Sequence, residues 1–239
     1  MKYIKPPRHG TCASIVSVLA IIAAPFAPAA AAVAPHSAAS QIAPYLMASQ
    51  RQEIALARSA APPSIAMHAS VMVLSAHGYV TEVKGTNGFV CLVSRSWDSD
   101  GQPNQPAFWD PKISVPKCFN APAARWRLAL LLTKTQWVTS GGSEAELGER
   151  LKAAHAPAKM EDPPGVAICY MMSKRSWGVG GHPGAWRPHL MFYFPNGHVP
   201  NWGANLDGSP VMSGAEDDHT TVVDVLVPAW SDGSPAPGP

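Results

Sequence analysis

The N-terminus constrains this chain more than any other stretch. Lys2, Lys5 and Arg8 precede an apolar run from Ala13 to Ala24, carried by Ile15, Val16, Val18, Leu19, Ile21 and Ile22. Pro25 and Pro28 interrupt that run, and a tract of small residues follows from Ala29 to Ala34. A basic start, a short apolar core and small residues make the three-part pattern of a secretory signal peptide. Cleavage is expected between Ala31 and Ala34. A membrane helix needs about 20 strongly apolar residues, and this run is shorter and broken by proline. Cys12 lies before the apolar core, the wrong side for a lipid-modified cysteine. Residues 1–34 therefore read as a leader, with no membrane span left after its removal, and the product is expected to be secreted or periplasmic.

Export changes the charge and cysteine arguments. The whole chain carries 18 Lys+Arg against 16 Asp+Glu, but three of the basic residues and none of the acidic ones lie in the leader. The remainder is close to neutral. It has no basic surplus of the kind that nucleic acid or an anionic membrane requires, and both are excluded as primary partners. Cys91, Cys118 and Cys169 remain. In an oxidising compartment Cys91–Cys118 is the preferred pairing, with Cys169 free.

Residues 35–64 read as a helical lead. Its core, Gln41 to Ala60, places Ile42, Leu46, Ile54 and Leu56 near helical spacing, and Pro62 and Pro63 end it. Residues 65–230 read as a single α+β domain. Val71 to Leu74, Tyr79 to Lys84 and Phe89 to Val93 are strand-like and are separated by turn signals at His77-Gly78 and Gly85 to Gly88, the pattern of an antiparallel meander. Residues 94–121 read as loop. Pro122 to Trp137 reads as a helix, and Ser143 with Glu146 forms a capping-box signature for another, ending near Ala154. Val166 to Met172, Pro188 to Phe194 and Thr220 to Val227 read as strands. Ser231 to Pro239 reads as a disordered tail. The expected fold is mostly antiparallel sheet with two or three helices, and it is loop-rich.

The densest chemical constellation is Cys169 to Lys174, a glycine-rich link holding His182, and His189 to Met191. Alternate strand residues share a face. Cys169 with Met171, and His189 with Met191 and Tyr193, therefore converge if the two strands pair. His182, His189 and Met191 form a candidate soft-metal set for copper or zinc, since thioether and imidazole suit copper; methionines filling a core are the plainer account. The same residues allow a Cys/His hydrolase, with Cys169 as nucleophile, His189 as base and Asp207 or Asn205 as orienter. Cys91 is a second candidate nucleophile. No Gly-x-Ser-x-Gly elbow occurs. Asp98 to Gly101 reads as a turn, since it lacks the rest of a calcium loop. Gly178 to Gly181 reads as a flexible link, and Glu216 to His219 as a solvated loop.

Trp97, Trp177, Trp186, Trp202 and Trp230 sit beside small or polar residues in expected loops. An indole offers a broad apolar face and a polar N–H, which suits a core cap or a binding surface. Trp186 and Trp202 are the candidates for contact with a glycan, a peptide or an envelope protein. The sequence leads with a non-enzymatic binding or structural role; the hydrolase and the soft-metal protein are the alternatives.

Overall fold

A computed structural model describes residues 42–98, 103–154, 165–178, 186–195, 201–215 and 220–237. All of these fall in one compact unit, Pro35–Pro239. Residues 1–34, expected to be a leader, residues 179–181 of the glycine-rich link, His182 and Glu216 to His219 lie outside the described residues.

The architecture is α+β, built on one eight-stranded sheet in the order β2-β1-β3-β4-β5-β6-β8-β7. The strands are β1 Ser70–Ser75, β2 Gly78–Val83, β3 Val90–Arg95, β4 Ser114–Phe119, β5 Ala167–Met171, β6 His189–Pro195, β7 Val211–Ala215 and β8 Thr220–Leu226. All neighbours pair antiparallel except β1 and β3, which run parallel through Ser70↔Val90 and Val71↔Cys91. The simple meander is thereby corrected: β2 hairpins onto β1 and stays at the edge, while β3 joins β1 on its other side. Gly85 makes that crossing possible. A Cβ at this position would stand 2.1 Å from Ser70 N and 2.3 Å from Ala69 C, so only glycine lets the chain pass back over the start of β1. Thr86 N and Asn87 Nδ2 then hold the returning loop, donating to His68 O and Ile65 O.

Two strands run where loop or no element is expected. β4 occupies the middle of the sheet although it contains Pro116 and Lys117, and β7 is a short outer strand. Pro116 pairs with Val93 and Lys117 with Leu92.

Helices cover the sheet from both sides between β1 and β5. On one face lies α1, Gln50–Arg58, whose N-terminus is capped by Ser49 Oγ accepting from Gln52 N at 3.3 Å. The expected helix over 41–60 is thus shortened: Pro44 lies in a separate 3-10 turn, Ala43–Tyr45, and the true cap is Ser49. After it, α2 (Pro63–Ala66) starts with proline at its first position, where the missing N–H costs nothing. Leu56, Ala57, Ala60 and Ala61 pack here against Val71, Val93 and the Cys91–Cys118 disulfide, which joins directly opposed residues of β3 and β4.

The other face is covered by α3 (Ala121–Ala123), a π-helical turn over Ala124–Leu128, and α4 (Ala129–Thr139). Asn120 caps α3 through Oδ1, which accepts from Ala123 N at 3.0 Å, and its side chain also bonds Val166 O and Ile168 N at the start of β5. Beneath lie Leu92, Val115, Phe119, Leu128, Leu131, Ala167, Cys169 and Tyr193. The capping box of α5 (Glu144–Ala154) forms as read: Glu146 N donates to Ser143 Oγ at 3.3 Å and Ser143 N to Glu146 Oε2 at 2.8 Å. By contrast β6, β8 and β7 make their main contacts with one another. Beyond β8, Ser231 N donates to Met172 O at 3.0 Å, and Lys174 pairs with Asp232 at 3.1 Å.

Among the described residues, no helix is long and apolar enough to cross a membrane.

Candidate functional site

The β5–β6 register assembles the chemistry on the face shared with α3 and α4. Cys169 stands opposite Met191, Met171 opposite His189, and Ala167 opposite Tyr193. Opposed residues of an antiparallel pair project to the same side, so three sulfurs, an imidazole and a phenol share one surface. Tyr193 Oη donates to Met191 Sδ at 3.6 Å. The Arg127 guanidinium, delivered by the π-helical turn, lies over the Tyr193 ring at 5.6 Å, and Trp126 meets that ring edge-on at 6.0 Å.

Burial dominates the behaviour of Cys169. Its thiol is fully enclosed and is pushed up to about 12, chiefly by the loss of water; Lys117 and hydrogen bonds from Cys118 and Tyr193 pull only part of the way back. The thiolate is therefore scarce near neutral pH. Lys117 itself is largely enclosed, its side chain 12% exposed. Loss of water opposes its charge, but Asp98 and the nearby Cys169 hold its pKa above the usual lysine value. Asp98, at the end of the 3-10 turn Ser96–Asp98, bonds Lys117 directly. Burial alone raises its carboxyl, yet Lys117, Arg127 and Lys134 together hold it below the usual carboxylate range.

His189 is buried, and its Nδ1 lies 2.7 Å from Arg187 O. A carbonyl only accepts, so Nδ1 is the donor in this contact. Trp186 leans edge-on against this ring at 5.7 Å and covers Gly178, where a Cβ would come within 3.3 Å of the indole.

Other candidates lie elsewhere. Cys91 is bonded to Cys118 on the opposite face, so it is not a free thiol. Asp207 is exposed in the loop 201–210, beside Asn205, which is tied to the outer edge of β7. β7 lies three strand spacings from β5, about 14 Å, and two from His189 on β6. The structure joins Cys169 to Met191 and places His189 beside them, without bringing Asp207 or Asn205 to the histidine. Among the described residues, no group of three or more His, Cys, Asp and Glu side chains is placed to hold a metal ion.

The tryptophans separate cleanly by burial. Trp97 is enclosed, with Nε1 donating to Thr135 Oγ1 at 2.9 Å, and Trp109 Nε1 donates to Pro103 O at 2.6 Å. Trp230 is also buried, and Trp177 is half-buried and bridges to Ser114. Of the eight tryptophans, all within the described residues, only Trp202 is exposed, at 41%. It is nonetheless held: Phe192 meets it edge-on at 5.1 Å and Phe194 at 5.6 Å. These phenylalanines point away from the Cys169 cluster, so Trp202 lies on the opposite face of the sheet, with the exposed Leu206 over Gly203 next to it.

Comparison with protein-family models, with curated proteins and with solved structures found no match for this chain. The reading of its site rests on its own chemistry.

Proposed function

We propose that this protein is a non-enzymatic binding protein of a secreted or periplasmic compartment, with Trp202 as its principal contact and neutral carbohydrate as its ligand class. One observation carries the proposal: a large indole stays two-fifths exposed while two phenyl rings fix its orientation. Exposed apolar area costs about 25 cal/mol per Å² in water. A ring already ordered before binding loses little further freedom when a ligand stacks on it. Asn201 and Asp207 flank the loop with hydrogen-bonding groups and no cation, which suits hydroxyl-rich ligands better than anions.

The Cys/His hydrolase gains less support. Its nucleophile is enclosed as a protonated thiol, and its expected orienter lies strands away. The soft-metal alternative is favoured by His189 standing opposite Met171 and on the same face as Met191. Copper(I) competition against a chromogenic chelator tests it, with His189→Ala/Met191→Ala expected to lose any copper bound.

Titration with neutral oligosaccharides, read by tryptophan fluorescence and calorimetry, tests the main proposal. Trp202→Ala is expected to abolish binding while Trp186→Phe retains it. Unchanged binding in Trp202→Ala refutes the assignment of the contact. A Trp202-dependent affinity for peptides with none for sugars refutes the ligand class.

A further inference from the structure

The crossing from β2 to β3 is clamped by a residue that its own neighbour can attack. Asn87 lies in this loop, exposed to water, and the next residue, Gly88, is exposed as well. Thr86 N and Asn87 N donate to His68 O at 2.8 Å and 3.4 Å. The Asn87 carboxamide completes the clamp. Its Nδ2 donates to Ile65 O at 2.8 Å, and its Oδ1 accepts from Phe89 N at 3.1 Å. Acceptance from the N–H two residues on makes an Asx turn.

Asparagine is among the thermolabile residues, and here the surroundings favour closure of a succinimide ring with the following residue. Glycine has no Cβ, so its amide nitrogen is open to close approach. Gly88 has φ of 76°, and the nearest atom to a Cβ built there is Ala121 Cβ at 3.6 Å. Gly88 N donates to no group among the described residues, so no bond has to break to release it. Phe89 N–H points at Oδ1, the oxygen on which charge grows when Cγ is attacked, and acts there as an oxyanion donor. Attacker and target sit on adjacent residues, which supplies proximity. The other described asparagines, Asn104, Asn120, Asn201 and Asn205, precede Gln105, Ala121, Trp202 and Leu206, whose side chains crowd the same approach.

We propose that Asn87 is a self-modification site: the chain converts this asparagine to an acid through a cyclic imide, and the conversion unclamps the β2–β3 crossing. Gly88 N gives its proton to water and bonds to Asn87 Cγ. The Cγ–Nδ2 bond breaks, and the nitrogen leaves as ammonia. Water then adds to one of the imide carbonyls and opens the ring, leaving an aspartate or an isoaspartate with no change of oxidation state. The product carries a carboxylate in place of the carboxamide. A carboxylate only accepts, so it repels Ile65 O where Nδ2 bonded it. This inference is independent of the ligand assigned to Trp202.

The test follows each asparagine by peptide mapping and mass spectrometry. The oxidised protein is held folded in a mildly alkaline buffer, beside a sample denatured in guanidinium. In the folded protein Asn87 is expected to gain the mass of an amide-to-acid change ahead of Asn104, Asn120, Asn201 and Asn205. Another of these converting first, or Asn87 remaining intact after the denatured sample has converted, overturns the modification. The clamp is read separately. Asn87→Asp, made directly and shown to be folded by circular dichroism, is expected to melt about 2–4 °C below the unaltered protein, as loss of one hydrogen bond implies. The converted fraction, separated by ion exchange, is expected to melt lower as well, and it carries the reading if the variant fails to fold. An unchanged melting midpoint overturns the unclamping.

Discussion

Arg95→Met is expected to cost this fold about 3–5 kcal/mol, the range for removing one partner of a buried ion pair. Arg95 Nη2 meets Glu53 Oε1 at 2.8 Å, and the two side chains are 1% and 3% exposed. The same carboxylate oxygen accepts from Leu74 N at 3.0 Å, while Arg95 Nε donates to Tyr45 O at 3.0 Å and Nη1 to Val93 O. One cluster therefore ties α1, β1, the end of β3 and the preceding 3-10 turn. Methionine fills most of the arginine's volume, so the loss is mainly that of a buried carboxylate left with one amide donor. At 2–4 °C per kcal/mol for a domain of this size, the midpoint of thermal unfolding should fall by roughly 6–20 °C. Glu53→Gln in the Arg95→Met background removes the stranded charge and is expected to recover part of the loss, so the two changes should be strongly non-additive. Urea and thermal melts of the oxidised protein, followed by circular dichroism, give all four corners of the cycle. A cost below 1 kcal/mol for Arg95→Met, or strict additivity, refutes the claim that this pair organises the α1 side.

Three further outcomes are expected. Cys169, with its thiol near 12 and no exposed surface, should resist a disulfide reagent at pH 8 in the native protein and react at once in denaturant; fast native labelling contradicts its burial. The Asp98–Lys117 pair should shape both limbs of the stability profile: the depressed Asp98 contributes above its ordinary value of about 3.9 and loses that contribution as pH falls below it, whereas the raised Lys117 contributes below about 10.4 and loses it as pH climbs higher. Urea midpoints across pH should show the acid limb flattened in Lys117→Met. Gly85→Ala forces a methyl into backbone and should cost about 2 kcal/mol or more, while Gly148→Ala, in α5 with open space around it, should gain about 0.5–1 kcal/mol; equal effects on the melt sink the close-approach argument.

The parts of the fold written as apolar runs between turn residues were legible: β1, β2, β3, β5, β6 and β8 all lie on or within a few residues of their patterns. Cys91–Cys118 followed from the oxidising compartment expected from the N-terminal pattern, and the cap of α5 from Ser143 and Glu146. What escaped detection did so for physical reasons. Pro116 and Lys117 argue against a central strand until Asp98, supplied from a different element, neutralises the lysine. The parallel entry of β3 depends on how closely Gly85 approaches Ser70, a tertiary distance with no local signature. Val211 to Ala215 is too short and too mixed to announce a strand. The convergence of Cys169, His189 and Met191 was readable from alternation alone. Which of five loop tryptophans stays at the surface depends on whether a neighbouring element covers it.

Among the described residues the helical cover reaches Tyr193 of β6 and thins beyond it, and that gradient divides labour within the molecule. Strands β1 to β5 carry the disulfide and most of the two largest hydrophobic clusters, one of which Tyr193 and Val222 complete, so global unfolding and the slowest amide exchange belong there. The outer β8–β7 pair, stiffened mainly by the strand ladder, leaves the described loop 201–210 free to change without repacking the interior, and grafted recognition sequences belong in that loop.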